Sequence, residues 1–137
     1  MTPEALAALH ARAFERLRPW SAQEFAALLS GPHVFLCPAP HAFAPGRAVA
    51  DEAELLTLAT DPAHRRHGHA RTCLAAFEAQ ARARGGARAF LEVDRENHAA
   101  IALYRAGGFD TVATRPAYYG LRDGRRTDAL IMAKPLG

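Results

Sequence analysis

Apolar positions recur along this chain first at helical spacing and then in short unbroken runs. Leu6, Leu9, Phe14 and Leu17 form a rough helical stripe, and Thr2-Pro3 puts a proline at the first helical position. The segment Trp20-Ser21-Ala22-Gln23-Glu24-Phe25 has Ser21 and Glu24 at capping-box spacing. Trp20 and Phe25 stand at the staple positions around it, which predicts a second helix ending near Ser30-Gly31-Pro32. Residues 33–37 are an apolar run and a predicted strand. Pro38, Pro40 and Pro45 follow; a central strand does not carry prolines in this way. Residues 38–50 are therefore expected to be an edge strand or a loop, open to disorder.

Residues 54–60 read as a strand bounded by Asp61-Pro62. In 68–84 the positions Ala70, Cys73, Leu74, Phe77 and Ala81 share one helical face opposite Arg and Glu, and Gly85-Gly86 ends the helix. Residues 88–93 form a predicted strand. Asn97 caps a helix running to Arg105 and stopped by Gly107-Gly108. Residues 109–114 and 127–133 are the last strands, with Asp123-Gly124 turning between them. The order ααβ(β)βαβαββ predicts one α/β domain over 1–137, with a mixed sheet and about four helices.

Composition narrows the functions. At 137 residues, half hydrophobic and 23% charged, the chain suits one globular domain, not a disordered one. No run approaches the roughly 18 apolar residues of a membrane span. The N-terminus lacks the basic start and long apolar stretch of a signal peptide. Cys37 and Cys73 have no paired spacing, so neither a disulfide framework nor a CxxC metal knuckle is expected, and a cytoplasmic home fits. The net charge is +3, and all the basic residues except Lys134 are arginine. That bias follows either from alanine- and arginine-rich composition or from anion binding, for which the planar guanidinium is suited. The arginines are scattered from Arg12 to Arg126, which argues against nucleic acid and leaves a small phosphorylated ligand open.

The junction after the 54–60 strand reads Arg65-Arg66-His67-Gly68-His69-Ala70-Arg71. A helix starting at a glycine offers unpaired amides at its positive end and lets an anion approach closely. A plain loop with solvated arginines is the other reading. Neither a Walker loop nor the dinucleotide GxGxxG is present. His67 and His69 have no third or fourth ligand spaced nearby, so no metal site is expected.

Leu58-Ala59-Thr60-Asp61-Pro62, followed by Arg65, Gly68 and Ala70 in the pattern Gln/Arg-x-x-Gly-x-Gly/Ala, resembles the acyl-CoA-binding element of the GNAT superfamily of N-acetyltransferases. Downstream, Leu91-Glu92-Val93, Asn97, residues 100–104, Gly108-Phe109, Arg115-Pro116-Ala117-Tyr118-Tyr119, Asp123-Gly124 and residues 128–132 are similar to its RimI subgroup, whose members acetylate the N-terminal amine of a ribosomal protein. The resemblance spans about 53–135. The N-terminal third departs from it, being proline-broken where the family has two paired strands.

The resemblance implies a GNAT fold with a sheet splayed at the acyl-CoA site, acetyl-CoA as cosubstrate and no metal. It implies that Leu58, Ala59 and Thr60 line the pantetheine arm, that Arg65, Arg66, His67, Gly68, His69, Ala70 and Arg71 hold the pyrophosphate, and that Asn97 contacts the cofactor. Glu92 would be the general base, acting directly or through water; on the residues alone it faces either a cleft or solvent. Tyr104 would be the general acid, where the residues alone equally suit core packing. Arg115, Tyr118, Tyr119 and Asp128 are candidates for acceptor binding, and packing on the terminal hairpin is the alternative for the tyrosines.

An α-amine titrates near 7.7–8.0 and lysine near 10.4, so at pH 7 roughly a tenth of the former is neutral and well under a thousandth of the latter. One modest base suits an α-amine. The expected partners are thus a peptide N-terminus or, alternatively, a small amine, amino acid or lysine, with the protein a monomer or weak homodimer. A non-catalytic acyl-CoA sensor and an RNA-associated module are weaker alternatives.

Overall fold

The computed structural model describes residues 1–137, and the first elements follow from their caps. The Thr2 hydroxyl accepts from the Ala5 amide at the start of α1 (Pro3–Ala13). Both halves of the Ser21–Glu24 capping box are formed at α2 (Ala22–Leu29), and the staple residues Trp20 and Phe25 have ring centroids 5.4 Å apart. The remaining elements are β1 (Val34–Ala39), β2 (Ala42–Val49), β3 (Glu52–Leu55), β4 (Ala59–Thr60), a 3-10 turn (Pro62–His64), α3 (His69–Ala83), β5 (Arg88–Asp94), α4 (His98–Ala106), β6 (Asp110–Gly120) and β7 (Arg126–Pro135).

The strands form one sheet in the order β1-β2-β3-β5-β7-β6, with β4 on β2; every pair is antiparallel except β3 with β5. On one face lie Cys73, Leu74, Phe77 and Ala81 of α3, packed with Phe35, Leu55, Leu91, Phe109 and Met132. On the other, Leu6, Leu9 and Phe25 of the first two helices close over Phe43 and Ala59.

The expectation of an edge strand or loop over 38–50 is wrong. β1 and β2 are a regular hairpin, and β2 is a central strand carrying Pro45. Two physical facts reconcile this with proline chemistry. First, β2 is buried on both faces: Ala42 and Ala44 belong to the α3 side and Phe43 to the α1/α2 side. No polar alternation therefore marks it. Gly46 is required there because a Cβ would lie 2.5 Å from the Phe35 ring and 2.8 Å from Phe77. Second, the Leu56 amide donates to the Pro45 carbonyl at 2.9 Å, but Pro45 has no N–H to return. The ladder opens there. β2 pairs with β3 as far as Gly46–Leu55 and resumes with β4 at Phe43–Ala59, leaving residues 56–58 as a bulge. The single strand expected at 54–60 is thus two strands around that bulge, and β3 parts from β5 after Leu55–Leu91.

The last two strands are longer than predicted. β6 has a second irregularity between Arg115 and Tyr119, where residues 116–118 face Asp128 alone.

Candidate active site

Two clefts meet where β3 and β5 part. One, of about 740 Å³, is walled by the 14–20 linker, the 54–58 bulge, the end of β5 and the β6 irregularity. The other, of about 840 Å³, runs along the start of α3 and one side of α4. Phe14, Leu58, Asn97, Ala100 and Tyr104 wall both.

The second cleft has the chemistry of an anion site. Gly68 caps α3 at φ +79°, and a Cβ there would meet nothing within 4 Å. The Thr72 amide is the first to bond within the helix, to the Gly68 carbonyl, so the amides of His69, Ala70 and Arg71 have no backbone acceptor. Arg65, Arg66 and Arg71 line this cleft, and none pairs with a carboxylate. Thr60 and Leu58 continue the wall toward the splay. Two of the expected contacts lie elsewhere: Ala59 is buried under α1, and His67 is exposed and lines neither cleft. At the splay the Thr57 and Leu58 amides make no backbone hydrogen bond. Asn97 lines both clefts while its side-chain oxygen accepts from the Ala100 amide at 3.2 Å to cap α4.

In the first cleft Glu92 faces inward, 18% exposed, with an Arg115 guanidinium nitrogen 3.7 Å from its carboxylate. Tyr118 and Tyr119 stand over it, rings edge to face at 5.0 Å. The Glu92 carboxylate beside it pushes the Tyr118 hydroxyl above the ordinary phenol value, and burial adds to this. Burial and then Glu92 do the same to Tyr119. Tyr104 is both a core residue and a cleft wall: it packs against Phe109 with centroids 6.0 Å apart, and burial holds its hydroxyl protonated well above the usual range.

Asp128 does not reach either cleft. Its two oxygens accept from the Ala117 amide (2.9 Å) and from Arg95 (3.0 Å), while Arg126 donates to the Ala117 and Tyr118 carbonyls. Together they brace the β6 irregularity, where Ala117 takes φ 50°, and so aim Tyr118 and Tyr119.

His41, from the β1–β2 turn, meets Asp61 and His64 of the 3-10 turn, with ligand atoms within 4.8 Å of one another. The distance in sequence between His41 and the other two hid this cluster. The two imidazoles stack face to face, centroids 3.4 Å apart at 4°, so in this arrangement no one ion lies in the plane of both rings. Cys37 and Cys73 are free and buried; burial raises both thiols, Cys73 to about 11, and neither lines a cleft.

A family model for the acetyltransferase (GNAT) family matches residues 7–109. The chain belongs to the GNAT family. Over 95 residues it is 44% identical to the [ribosomal protein bS18]-alanine N-acetyltransferase of Escherichia coli K12, a match covering 69% of this chain and 64% of that enzyme. The chain thus spans just under two thirds of the length of that curated relative. The crystal structure of the ribosomal-protein-S18-alanine N-acetyltransferase from Escherichia coli superposes with TM-score 0.85 at 37% identity, covering 98% of this chain and 87% of that one. Arabidopsis thaliana NAA60, crystallised with acetyl-CoA, shares the fold at TM-score 0.83 and 17% identity, over 97% of this chain and 92% of its own. The paired β1–β2 hairpin brings the N-terminal third of this GNAT domain into line with the family, removing the departure expected from its prolines.

The sequence reading missed the cleft-lining residues His10, Thr57 and Asp94. Asp94 is buried and accepts from Arg16 at 2.6 Å and from Thr127 at 3.0 Å, tying the 14–20 linker to the sheet. His10 had a signal, a lone histidine on the apolar stripe of α1; Thr57 had none.

Proposed function

We propose that this GNAT domain transfers the acetyl group of acetyl-CoA to the N-terminal α-amine of a protein, as its RimI-like relatives' names describe for ribosomal protein bS18. The observation that carries this reading is the pair of clefts meeting at a common wall that holds Tyr104 and Leu58. The unpaired amides at 69–71 and the arginines beside them, none paired with a carboxylate, fit a pyrophosphate. The Leu58 amide, without a backbone partner in the splay, is the donor for the thioester oxygen.

Glu92 takes the proton that the amine sheds, directly or through water, as the nitrogen bonds to the thioester carbon. Tyr104, held protonated by burial, gives its proton to the sulfur as the carbon–sulfur bond breaks. Both thiols are buried and line neither cleft, so no cysteine takes up the acetyl group, and direct attack of the nitrogen on the thioester is the step proposed. Arg115, Tyr118 and Tyr119 border the acceptor's path to Glu92. The small-amine alternative drew on a broken N-terminal third, and with the hairpin intact that one argument for it falls away.

The test is acetyl transfer from acetyl-CoA to three acceptors: a peptide with the free N-terminus of ribosomal protein bS18, the same peptide N-blocked with an internal lysine, and a panel of small amines. Transfer to the free N-terminus alone is expected. Transfer only to small amines or lysine overturns the acceptor assignment.

A further inference from the structure

The linker and bulge that wall the first cleft are joined by one buried side chain. His10 sits among the rings of Phe14, Trp20 and Phe25, at centroid distances of 4.4, 5.1 and 5.5 Å. Its Nδ1 lies 3.1 Å from the Trp20 backbone nitrogen, and an amide can only donate. Nδ1 therefore bears no proton. Burial lowers His10 to about 4, so the ring is neutral and its one proton is on Nε2. Nε2 lies 3.3 Å from Thr57 Oγ1. The histidine donates, the hydroxyl accepts, and the Thr57 proton is left to point elsewhere. The hydroxyl has no other protein partner, and Thr57 lines the first cleft but not the phosphate cleft.

The structure thus presents a directed O–H donor in the bulge, on the same cleft as Glu92. Its partner is not the reacting amine, because a hydrogen bond to that lone pair would hold it back from attack. Nor is it the phosphate end of the cosubstrate, which lies along the other cleft. A peptide N-terminus has one more acceptor close to its amine, the carbonyl oxygen of its first residue. We propose that Thr57 donates to that carbonyl and selects α-amines over lysine and simple alkyl amines, which carry none near the nitrogen, and that His10 is the positioning residue that aims the hydroxyl. This rests on the peptide-acceptor reading above.

The experiment compares KM and kcat for the free-N-terminus peptide and for an isostere in which a trans-alkene replaces the first peptide unit, removing the carbonyl oxygen. In the wild type the isostere is expected to raise KM about fivefold. Thr57→Val is expected to raise the peptide's KM by a similar factor, leave kcat within about twofold and add no penalty for the isostere. Thr57→Ser restores the peptide's KM. His10→Phe keeps a ring in the aromatic cluster but cannot donate; it is expected to raise the peptide's KM alone and to add nothing in a Thr57→Val background. An unchanged peptide KM in Thr57→Val, or equal penalties for both acceptors, overturns the role of Thr57 while leaving peptide acetylation standing. Wild-type turnover of alkyl amines without turnover of the peptide overturns both.

Discussion

Glu92 and Tyr104 are each held by a different kind of contact, and their variants separate accordingly. Glu92 has an arginine and a tyrosine for neighbours and is not a core member. Glu92→Gln keeps its shape and is expected to cut kcat about 100-fold or more while acetyl-CoA binding, read by titration calorimetry, stays near wild type. The Tyr104 hydroxyl makes no hydrogen bond within the protein, so Tyr104→Phe keeps the ring against Phe109 and costs little stability. Its kcat is expected to fall about tenfold with the melting temperature nearly unmoved; an unchanged rate leaves the ring a structural one. At this scale the sequence was legible where a side chain stands in a local motif, as Gly68, Asn97 and the Ser21–Glu24 box do. It was not legible where the role depends on a distant contact. Asp128 looked like a polar contact for an acceptor and instead braces a bulge, and the orientation of Thr57 follows from a histidine 47 positions away.

Among the elements, the start of α3 is the part that a single substitution tests most sharply. Gly68 lies in the left-handed region beside open space, so a side chain fits sterically at a modest backbone cost. At this left-handed backbone an aspartate does not have the extended conformation from which an N-cap side chain bonds the helix amides, so it costs about 1 kcal/mol without a compensating cap. Gly68→Asp is therefore expected to lower the melting temperature by a few degrees while weakening acetyl-CoA binding by about tenfold or more, since its negative charge stands beside the amides a phosphate would use. Unchanged binding removes 65–71 from the cosubstrate site. The helices were readable because their caps and one-sided apolar stripes are local. β2 was not, because a strand buried on both faces has no polar alternation, and because the rule that excludes proline from central strands assumes an unbroken ladder on both sides. Here the ladder breaks at the proline itself.

Across the whole molecule, His10 links the helical layer to the sheet, so its titration is felt as stability. In the unfolded chain the imidazole titrates near 6.5, and in the fold near 4. Between those values the unfolded chain binds a proton that the folded one refuses. Stability is thus undiminished above about pH 6.5 and falls as pH drops toward 4, by roughly 3 kcal/mol at most. Thermal melts from pH 7 to pH 4 are expected to show this fall, and His10→Phe, whatever its stability at pH 7, is expected to lose less over the same range. The opening at Pro45 has a consequence of another kind. At residue 45 the β2 ladder lacks a donor by chemistry and not by packing, so drift in the surrounding core does not restore it. A codon change at that single position supplies an N–H facing the 56–58 bulge, and β2 then offers that bulge a hydrogen bond it now goes without. Selection for a sturdier sheet and selection for a bulge that stays shaped as a cleft wall would pull on residue 45 in opposite directions.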